Sequence, residues 1–197
     1  MRILAIADVE DELLCARLEG RASSLDPVDL VISCGDLSAS YLDYVATMTG
    51  APLAYVRGNH DQAYGQDPPG GIDLDGRVVR LGRLRIAGLE GSLRYREGIV
   101  AHTQAQMWVR SLFLEARTKL SGGIDLLVTH VPPRGHGDLN DLPHQGFDAF
   151  NWLLGRVRPS HMLSGHVHLD YGRVPRTRAH PSGTLLVNAF GHVELEL

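Results

Sequence analysis

The sequence predicts an α/β fold in one domain that spans residues 1–197. Short apolar runs, typical of buried strands, alternate with segments of helical periodicity in the first third of the chain. These runs cover residues 2–7, 29–34 and 53–56. Polar residues follow each run directly, so we expect them beyond the carboxyl ends of parallel strands, where α/β sheets bind ligands.

Two helices are predicted between these strands. One runs from Asp11 to about Gly20, and the other starts after Ser38 or Ser40 and ends at Gly50. Apolar residues recur at helical intervals in the second helix, which predicts its buried face. That face is expected to hold Tyr41, Leu42, Val45 and Met48.

The middle of the chain predicts a hairpin and a long helix. Gly82 and Arg83 separate two strand-like runs, which indicates an antiparallel or mixed sheet. Thr103 and Gln106 have capping-box spacing, so we expect the longest helix to begin there and to end at residues 122–123. We expect its apolar residues to lie in the core and not to form a surface on which nucleic-acid bases stack. These residues are Trp108, Leu112, Phe113, Ala116 and Leu120.

The last third of the chain predicts further buried strands at residues 124–129 and 160–164. A helix with an apolar stripe from Phe147 to Val157 lies between them, and Pro159 follows it. Alternating residues from 171 to the end predict the final strands of a second sheet.

Composition indicates a globular chain with local binding partners. Hydrophobic residues make up 44% and charged residues 21%, and the net charge of -4 argues against bulk attraction to nucleic acid or acidic membrane. Cys15 and Cys34 lack metal-site spacing, which predicts buried thiols in a reducing cytoplasm. No apolar run approaches the roughly 18 residues of a membrane span, and the first predicted strand leaves no room for a signal peptide.

Several oxygen and nitrogen donors follow the predicted strands. They are Asp8, Glu10, Asp36, Asn59, His130, His166 and His168. The set exceeds the needs of one ion but suits two divalent ions, roughly 3.5 to 4 Å apart, that share a carboxylate. Mixed imidazole and carboxylate donors favour Mn, Fe, Zn, Ni or Co over Mg or Ca. We expect two such transition-metal ions, with manganese favoured.

These residues lie in blocks that resemble the ordered motifs of the calcineurin-like metallophosphoesterases. The blocks are Asp8, Gly35-Asp36, Gly58-Asn59-His60-Asp61, His130 and Gly165-His166-Val167-His168. The resemblance implies a four-layer α-β-β-α sandwich in which two mixed sheets are flanked by helices. It also implies hydrolysis of small phosphodiesters or phosphomonoesters by a metal-bound hydroxide at a dinuclear site.

The resemblance also implies roles for individual residues. Asp8 and His168 would hold the first metal, Asn59, His130 and His166 the second, and Asp36 would bridge them. His60 matches the family's non-ligand histidine, which is placed to donate a proton to the leaving oxygen.

Glu10 departs from the family pattern, which usually has histidine two residues after the first aspartate. If Glu10 is a ligand, directly or through water, the first site gains a negative charge, favours a harder metal and attracts phosphate less. If Glu10 instead turns away, the first site is weak or empty. We expect Glu10 to be a ligand.

Other candidates are arginines and histidines near the predicted site loops. Arg57 and Arg134, with Arg94, can bind substrate phosphate, or they can be solvent-facing residues at loop edges. His136 and Asp138 are candidates for the rim. The remaining histidines are expected to be structural, namely His102, His144, His161, His180 and His192.

Three functions are consistent with these observations. The first is hydrolysis of a small phosphorylated substrate, with nucleotides among the candidates. The second is a nuclease like the Mre11 branch, which the acidic balance argues against. The third is a scaffold like the retromer subunit of this fold, which binds protein in place of catalysis. A large exposed apolar patch would favour the scaffold. The sequence does not predict the oligomeric state.

Overall fold

The computed structural model describes residues 1–97, 100–172 and 174–197. Thirteen strands and four α-helices are defined within these residues. The helices are α1 (Glu12–Leu18), α2 (Ala39–Thr49), α3 (Gln104–Leu120) and α4 (Asp148–Val157). The strands are β1 (Arg2–Ala7), β2 (Leu30–Ser33), β3 (Leu53–Tyr55), β4 (Ile72–Asp73), β5 (Val78–Leu81), β6 (Leu84–Leu89), β7 (Ser92–Leu93), β8 (Ala101–His102), β9 (Leu126–Thr129), β10 (His161–Ser164), β11 (Thr177–Ala179), β12 (Leu185–Asn188) and β13 (Gly191–Glu196).

Two large mixed sheets form the centre of the molecule. The first has the strand order β13-β1-β2-β3-β4, and the second has the order β11-β12-β10-β9-β6-β5. Strands β1 to β4 run parallel, as do β6, β9, β10 and β12, whereas β13, β5 and β11 pair antiparallel at the edges. A separate pair joins β7 to β8. The predicted parallel arrangement and the hairpin at Gly82 are both present.

Three apolar layers show how the sheets and helices stack. Ile3, Ile32 and Val128 belong to the cluster between the two sheets. Leu42 and Tyr64 belong to the layer under α1 and α2, while Phe147, Phe150 and Leu154 belong to the layer under α3 and α4. The predicted four-layer α-β-β-α sandwich is therefore confirmed.

The last strand corrects one expectation. β12 joins the second sheet, as predicted, but β13 returns to the first sheet and pairs with β1 from Arg2↔Glu196 to Ala7↔Gly191. Without β13, β1 would be an edge strand with unpaired backbone groups. Alternating residues predict a half-buried strand but do not say which sheet it joins, so the sequence pattern alone missed this pairing.

The predicted helix boundaries are confirmed by their caps. The Ser38 side chain accepts the Tyr41 N–H at the start of α2, and Gly50 ends it in a left-handed conformation. Thr103 and Gln106 form the predicted capping box of α3. Met48, placed on the buried face of α2 from the sequence, is 42% exposed. Within the described residues, no helix is long and apolar enough to span a membrane.

The buried face of α3 differs from the prediction. Most of the apolar residues predicted as core point outward, with Leu112 51% and Phe113 65% exposed. Trp108 is 36% exposed and packs against Trp152 of α4, with ring centroids 5.6 Å apart. The face against the sheet and α4 instead holds Met107, Ser111, Leu114, Glu115 and Thr118. Apolar residues occur on all sides of this helix, so their spacing does not choose a face. Met107 and Leu114 pack into the core on this side, and two polar pairs accompany them: Glu115 accepts from Arg156 at 3.1 Å, and Arg110 pairs with Asp75.

Thr118→Val is expected to raise the free energy of unfolding by about 1 kcal/mol. The Thr118 hydroxyl is buried and has no hydrogen-bond partner among the described residues, so its desolvation is uncompensated. The same change at the cap, Thr103→Val, should lower that free energy by about 1 kcal/mol, because the Gln106 N–H loses its acceptor. Urea unfolding measures the change in the free energy of unfolding for both variants. If Thr118→Val is less stable than the parent chain, then the Thr118 hydroxyl has a hydrogen-bond partner.

Candidate metal centre

The carboxyl ends of the strands bring the predicted ligands together. Asp8 follows β1 directly, Asp36 lies three residues after β2, and Asn59 lies four residues after β3. From the second sheet, His130 follows β9 and His166 lies two residues after β10. Because these neighbours are parallel, their carboxyl ends meet at one edge of the sandwich.

Donor atoms from three residues converge on one ring nitrogen of a fourth residue. The Nε2 atom of His130 lies 2.9 Å from Asn59 Oδ1, 3.1 Å from His166 Nδ1 and 3.4 Å from Asp36 Oδ2. Asn59 and His130 are almost fully buried, and His166 is 8% exposed. Within the described residues, Asp36, His130 and His166 form a group able to hold a metal ion.

Main-chain carbonyls orient both imidazoles. His130 Nδ1 lies 2.8 Å from the Cys34 carbonyl oxygen, and His166 Nε2 lies 2.8 Å from that of Pro143. A carbonyl oxygen only accepts, so each of these nitrogens carries the proton. When the ring is neutral, its other nitrogen therefore presents a lone pair to the cluster. This outer arrangement is typical of metal-ligating histidine.

The electrostatics of the cluster suit a cation. Burial opposes the charged form of His130, but Asp36, Asp8 and the Cys34 carbonyl raise its pKa to about 9. Burial, with the nearby His130, lowers the pKa of His166 to about 3. Burial also raises the pKa of Asp8 to about 7. Since metal ligands must be deprotonated, a cation here would replace the proton on His130. The mixed nitrogen and oxygen donors fit a divalent transition-metal ion.

Backbone strain coincides with the candidate ligands. Asp8, Asp36 and His166 have φ angles of 70°, 57° and 68°, in the left-handed region. The only other non-glycine residue with positive φ in the described ranges is Arg158, which ends α4. Such conformations cost on the order of 1–3 kcal/mol each and concentrate at functional sites. The fold thus maintains strain where these side chains are presented.

Hydrogen bonds and close packing join two of the ligand loops. Asp61 Oδ2 accepts the N–H groups of Gly58 and Asp36, at 2.7 and 2.8 Å, and Asp36 Oδ1 accepts the His60 N–H at 2.7 Å. A Cβ atom on Gly35 would lie 2.2 Å from the nitrogen of Gly58. Glycine is therefore needed at position 35 for the two loops to touch.

Gly35→Ala is expected to destabilise the protein by about 3 kcal/mol or more. The new Cβ atom would overlap the backbone of Gly58. The residue would also have to adopt a positive φ angle, here 97°, which is unfavourable for alanine. Gly20→Ala is the matched control, because Gly20 also has a positive φ, of 72°, but has open space around its Cβ position. It should cost only about 1–2 kcal/mol. Urea unfolding measures both, and equal costs would contradict the loop contact.

The residues predicted for the first metal are less closely gathered. The Asp8 carboxylate accepts the His166 N–H at 2.9 Å and thus lies beside the cluster. Glu10 is exposed and accepts from the Ser38 hydroxyl at 2.5 Å. His168 stacks on Tyr171 and packs against Phe190, with ring centroids 5.1 and 4.6 Å apart. Ligation of a first metal by these residues stays a prediction.

The predicted catalytic and substrate-binding residues lie around this centre. His60 is exposed and lines a cleft of about 420 Å³ together with Asp36, and its catalytic role stays a prediction. Arg57 donates two hydrogen bonds to Glu90, at 2.6 and 2.8 Å. Arg134 lies 3.5 Å from Asp138. Both arginines are held by carboxylates, and their contact with substrate stays a prediction.

Some contributors to the centre were not found from the sequence. The carbonyls of Cys34 and Pro143 orient the imidazoles. Every residue has a main-chain carbonyl, so the residue type does not reveal this role. His144, predicted to be structural, lies with its ring 5.4 Å from that of His166 and within 2.5 Å of Asp141. Asp61 belongs to the Gly58-Asn59-His60-Asp61 block, so the sequence did contain a signal for its role as acceptor of the Gly58 and Asp36 N–H groups.

Nitrogen and oxygen donors that gather at the strand ends of a four-layer sandwich define an α/β protein with a candidate metal site. The model of the calcineurin-like phosphoesterase superfamily domain matches residues 1–194, so the chain belongs to that family.

Comparisons with individual proteins give fold-level and local similarity. One crystal structure aligns with a TM-score of 0.71 at 17% identity, covering 98% of this chain and 94% of that chain. The crystal structure of TT1561 of Thermus thermophilus aligns with a TM-score of 0.62 at 14% identity, covering 96% and 89%. UPF0046 protein T07D4.2 of Caenorhabditis elegans is 42% identical over 55 residues, which are 27% of this chain and only 14% of that protein.

Proposed function

We propose that this chain is a metal-dependent phosphoesterase that hydrolyses small phosphodiesters or phosphomonoesters at a dinuclear centre. The observation that carries the proposal is the convergence of Asn59 Oδ1, Asp36 Oδ2 and His166 Nδ1 on His130 Nε2, within 2.9 to 3.4 Å. Family membership supplies the reaction class.

The residues of the chain have separate tasks in this proposal. Asn59, His130 and His166 would hold one divalent ion, Asp8 and His168 with Glu10 would hold the other, and Asp36 would serve both. A pair of such ions activates water and neutralises phosphoryl charge. His60 donates a proton to the leaving oxygen, and its main chain is held in place by Asp36 Oδ1. The exposed cleft beside His60 admits the substrate.

The proposed substrate is a small phosphorylated molecule, with nucleotides among the candidates and nucleic acid disfavoured by the net charge of -4. We place the chain in a reducing cytoplasm, which the free thiols of Cys15 and Cys34 support. Manganese is our first choice of metal, since the donor set mixes imidazole with carboxylate and amide oxygens.

A protein-binding scaffold of the same fold is the second candidate. It is favoured by the position of Glu10, which accepts from Ser38 away from the cluster. A weak first site would leave the chain with one ion and little turnover. Glu10→His tests this, because a gain in metal stoichiometry together with turnover would show that Glu10 limits the first site.

The test of the proposed function compares a chromogenic phosphodiester with its monoester. Metal-stripped protein is reloaded separately with Mn, Ni, Zn and Mg, and each form is assayed on both substrates. We expect metal-dependent turnover, and the ratio of the two rates identifies the preferred ester. No turnover with two ions demonstrably bound would reject the enzyme in favour of the scaffold.

A further inference from the structure

The outer side of α3 concentrates exposed apolar side chains. Trp108, Val109, Leu112, Phe113 and Leu120 are exposed by 36%, 52%, 51%, 65% and 90%. Helical geometry places all of them on one side of the helix, and we call this set the α3 face. None of its members belongs to the metal centre.

The α3 face departs from the usual pattern of a surface helix, although Met107 and Leu114 on the inner side do pack into the core. Such helices normally turn an apolar stripe to the core and polar residues to solvent. Here the inner side includes Ser111, Glu115 and Thr118, and the hydroxyls of Ser111 and Thr118 have no partner within the described residues. Contiguous exposed apolar side chains with a polar border mark interaction sites.

The border of the α3 face carries a net positive charge. Arg110 and Arg117 lie beside Phe113, and Lys119 lies at the other edge. Asp75 pairs with Arg110 and Glu115 pairs with Lys119, whereas Arg117 has no carboxylate partner within the described residues. Arg80 of β5 is exposed on the side of the sheet that α3 covers, because Val78 packs under the helices while Val79 and Leu81 pack between the sheets. Residues 73–120 hold nine arginines and lysines against five acids, whereas the rest of the chain holds ten against eighteen.

Two clefts flank Arg110 along this surface. One, of about 240 Å³, is lined by Phe113, Arg117 and Asp75. The other, of about 450 Å³, is lined by His102, Gln106 and Val109. Clefts beside a helix can receive the anchor side chains of a partner.

These features select among the surfaces that could cover the α3 face. A second copy would bring one basic border against another, and like charges would oppose a symmetric contact. A bilayer offers no discrete side chains to fill the two clefts that flank Arg110. We propose that the α3 face docks an acidic amphipathic helix of a partner protein. Trp108–Leu112 and Val109–Phe113 are i, i+4 pairs, which form the ridges that helix packing uses.

The test uses a synthetic amphipathic helical peptide with leucines on one side and glutamates at its flanks, labelled for fluorescence anisotropy. The full chain should bind it saturably, and a peptide with lysine in place of each glutamate should bind at least about tenfold more weakly. The double variant Leu112→Ser, Phe113→Ser should lose about tenfold or more in affinity. Leu13→Ser is the matched control, since Leu13 is 58% exposed on α1.

Leu13→Ser should bind within about twofold of the parent chain, and thermal unfolding should show that all variants remain folded. Equal affinity for the two peptides, equal losses in the two protein variants, or no saturable binding would overturn the proposal. So would co-sedimentation with phosphatidylglycerol vesicles, or self-association in sedimentation velocity, if either is abolished by the double variant. The first of these would assign the face to a membrane and the second to another copy of this chain.

Discussion

His60→Ala is expected to lower kcat on a phosphoester with a poor leaving group by about 10²- to 10⁴-fold. The side chain is exposed in the cleft beside Asp36, where the proposed reaction needs a proton donor, and it is not among the converging donor atoms. The loss should therefore come from the missing proton and not from lost metal. With a nitrophenyl leaving group, which needs little protonation, the loss should be much smaller.

The measurement pairs steady-state kinetics on phenyl and nitrophenyl esters with metal stoichiometry. His161→Ala is the matched control. His161 begins β10, whereas His166 follows the other end of the same strand. It should retain parental rates on both esters. If His60→Ala lowers both rates equally, or also loses metal, then His60 is not the proton donor.

The order of the long strands and of the four helices was predictable because these elements have local signals. The two-residue strands β4 and β7 do not, and both lie in segments whose sequence is typical of loops. Ser38, Gly50 and the Thr103 capping box fix helix ends through bonds between near neighbours in sequence. The partner of β13 and the rotation of α3 depend instead on distant contacts, such as Leu4↔Glu194 and Arg110 with Asp75. Residue spacing contains no information about such contacts, so both were missed.

The convergence of the candidate ligands was predictable for a different reason. A polar residue directly after a buried strand lies at the carboxyl end of that strand. In an α/β sheet, this is the edge at which ligand-binding residues gather. The geometry around Asp36, His130 and His166 followed from that placement. The orientation of Glu10 did not follow from its position in the sequence. Its long side chain can point toward the candidate metal centre or toward the hydroxyl of Ser38, the N-cap of α2, and in the structure it bonds to Ser38.

His130→Ala is expected to have the largest effect on metal binding. His130 Nε2 is the atom on which Asn59, His166 and Asp36 converge, and its removal takes away a ligand and leaves the Cys34 carbonyl without its donor. Loss of an outer partner alone typically costs about 10- to 100-fold in metal affinity, so loss of the ligand should cost more. Phosphoesterase activity should fall below detection.

Calorimetric titration of the metal-free protein with Mn measures the affinity, and the rise in melting temperature with added metal gives a second readout that does not depend on turnover. Because His130 is fully buried, His130→Asn is needed beside the alanine variant to limit the cavity. His180→Ala serves as control, since His180 is also buried but bonds to Ser182 and Asn151 instead. Undiminished Mn affinity in folded His130→Asn and His130→Ala would mean that the metal lies elsewhere.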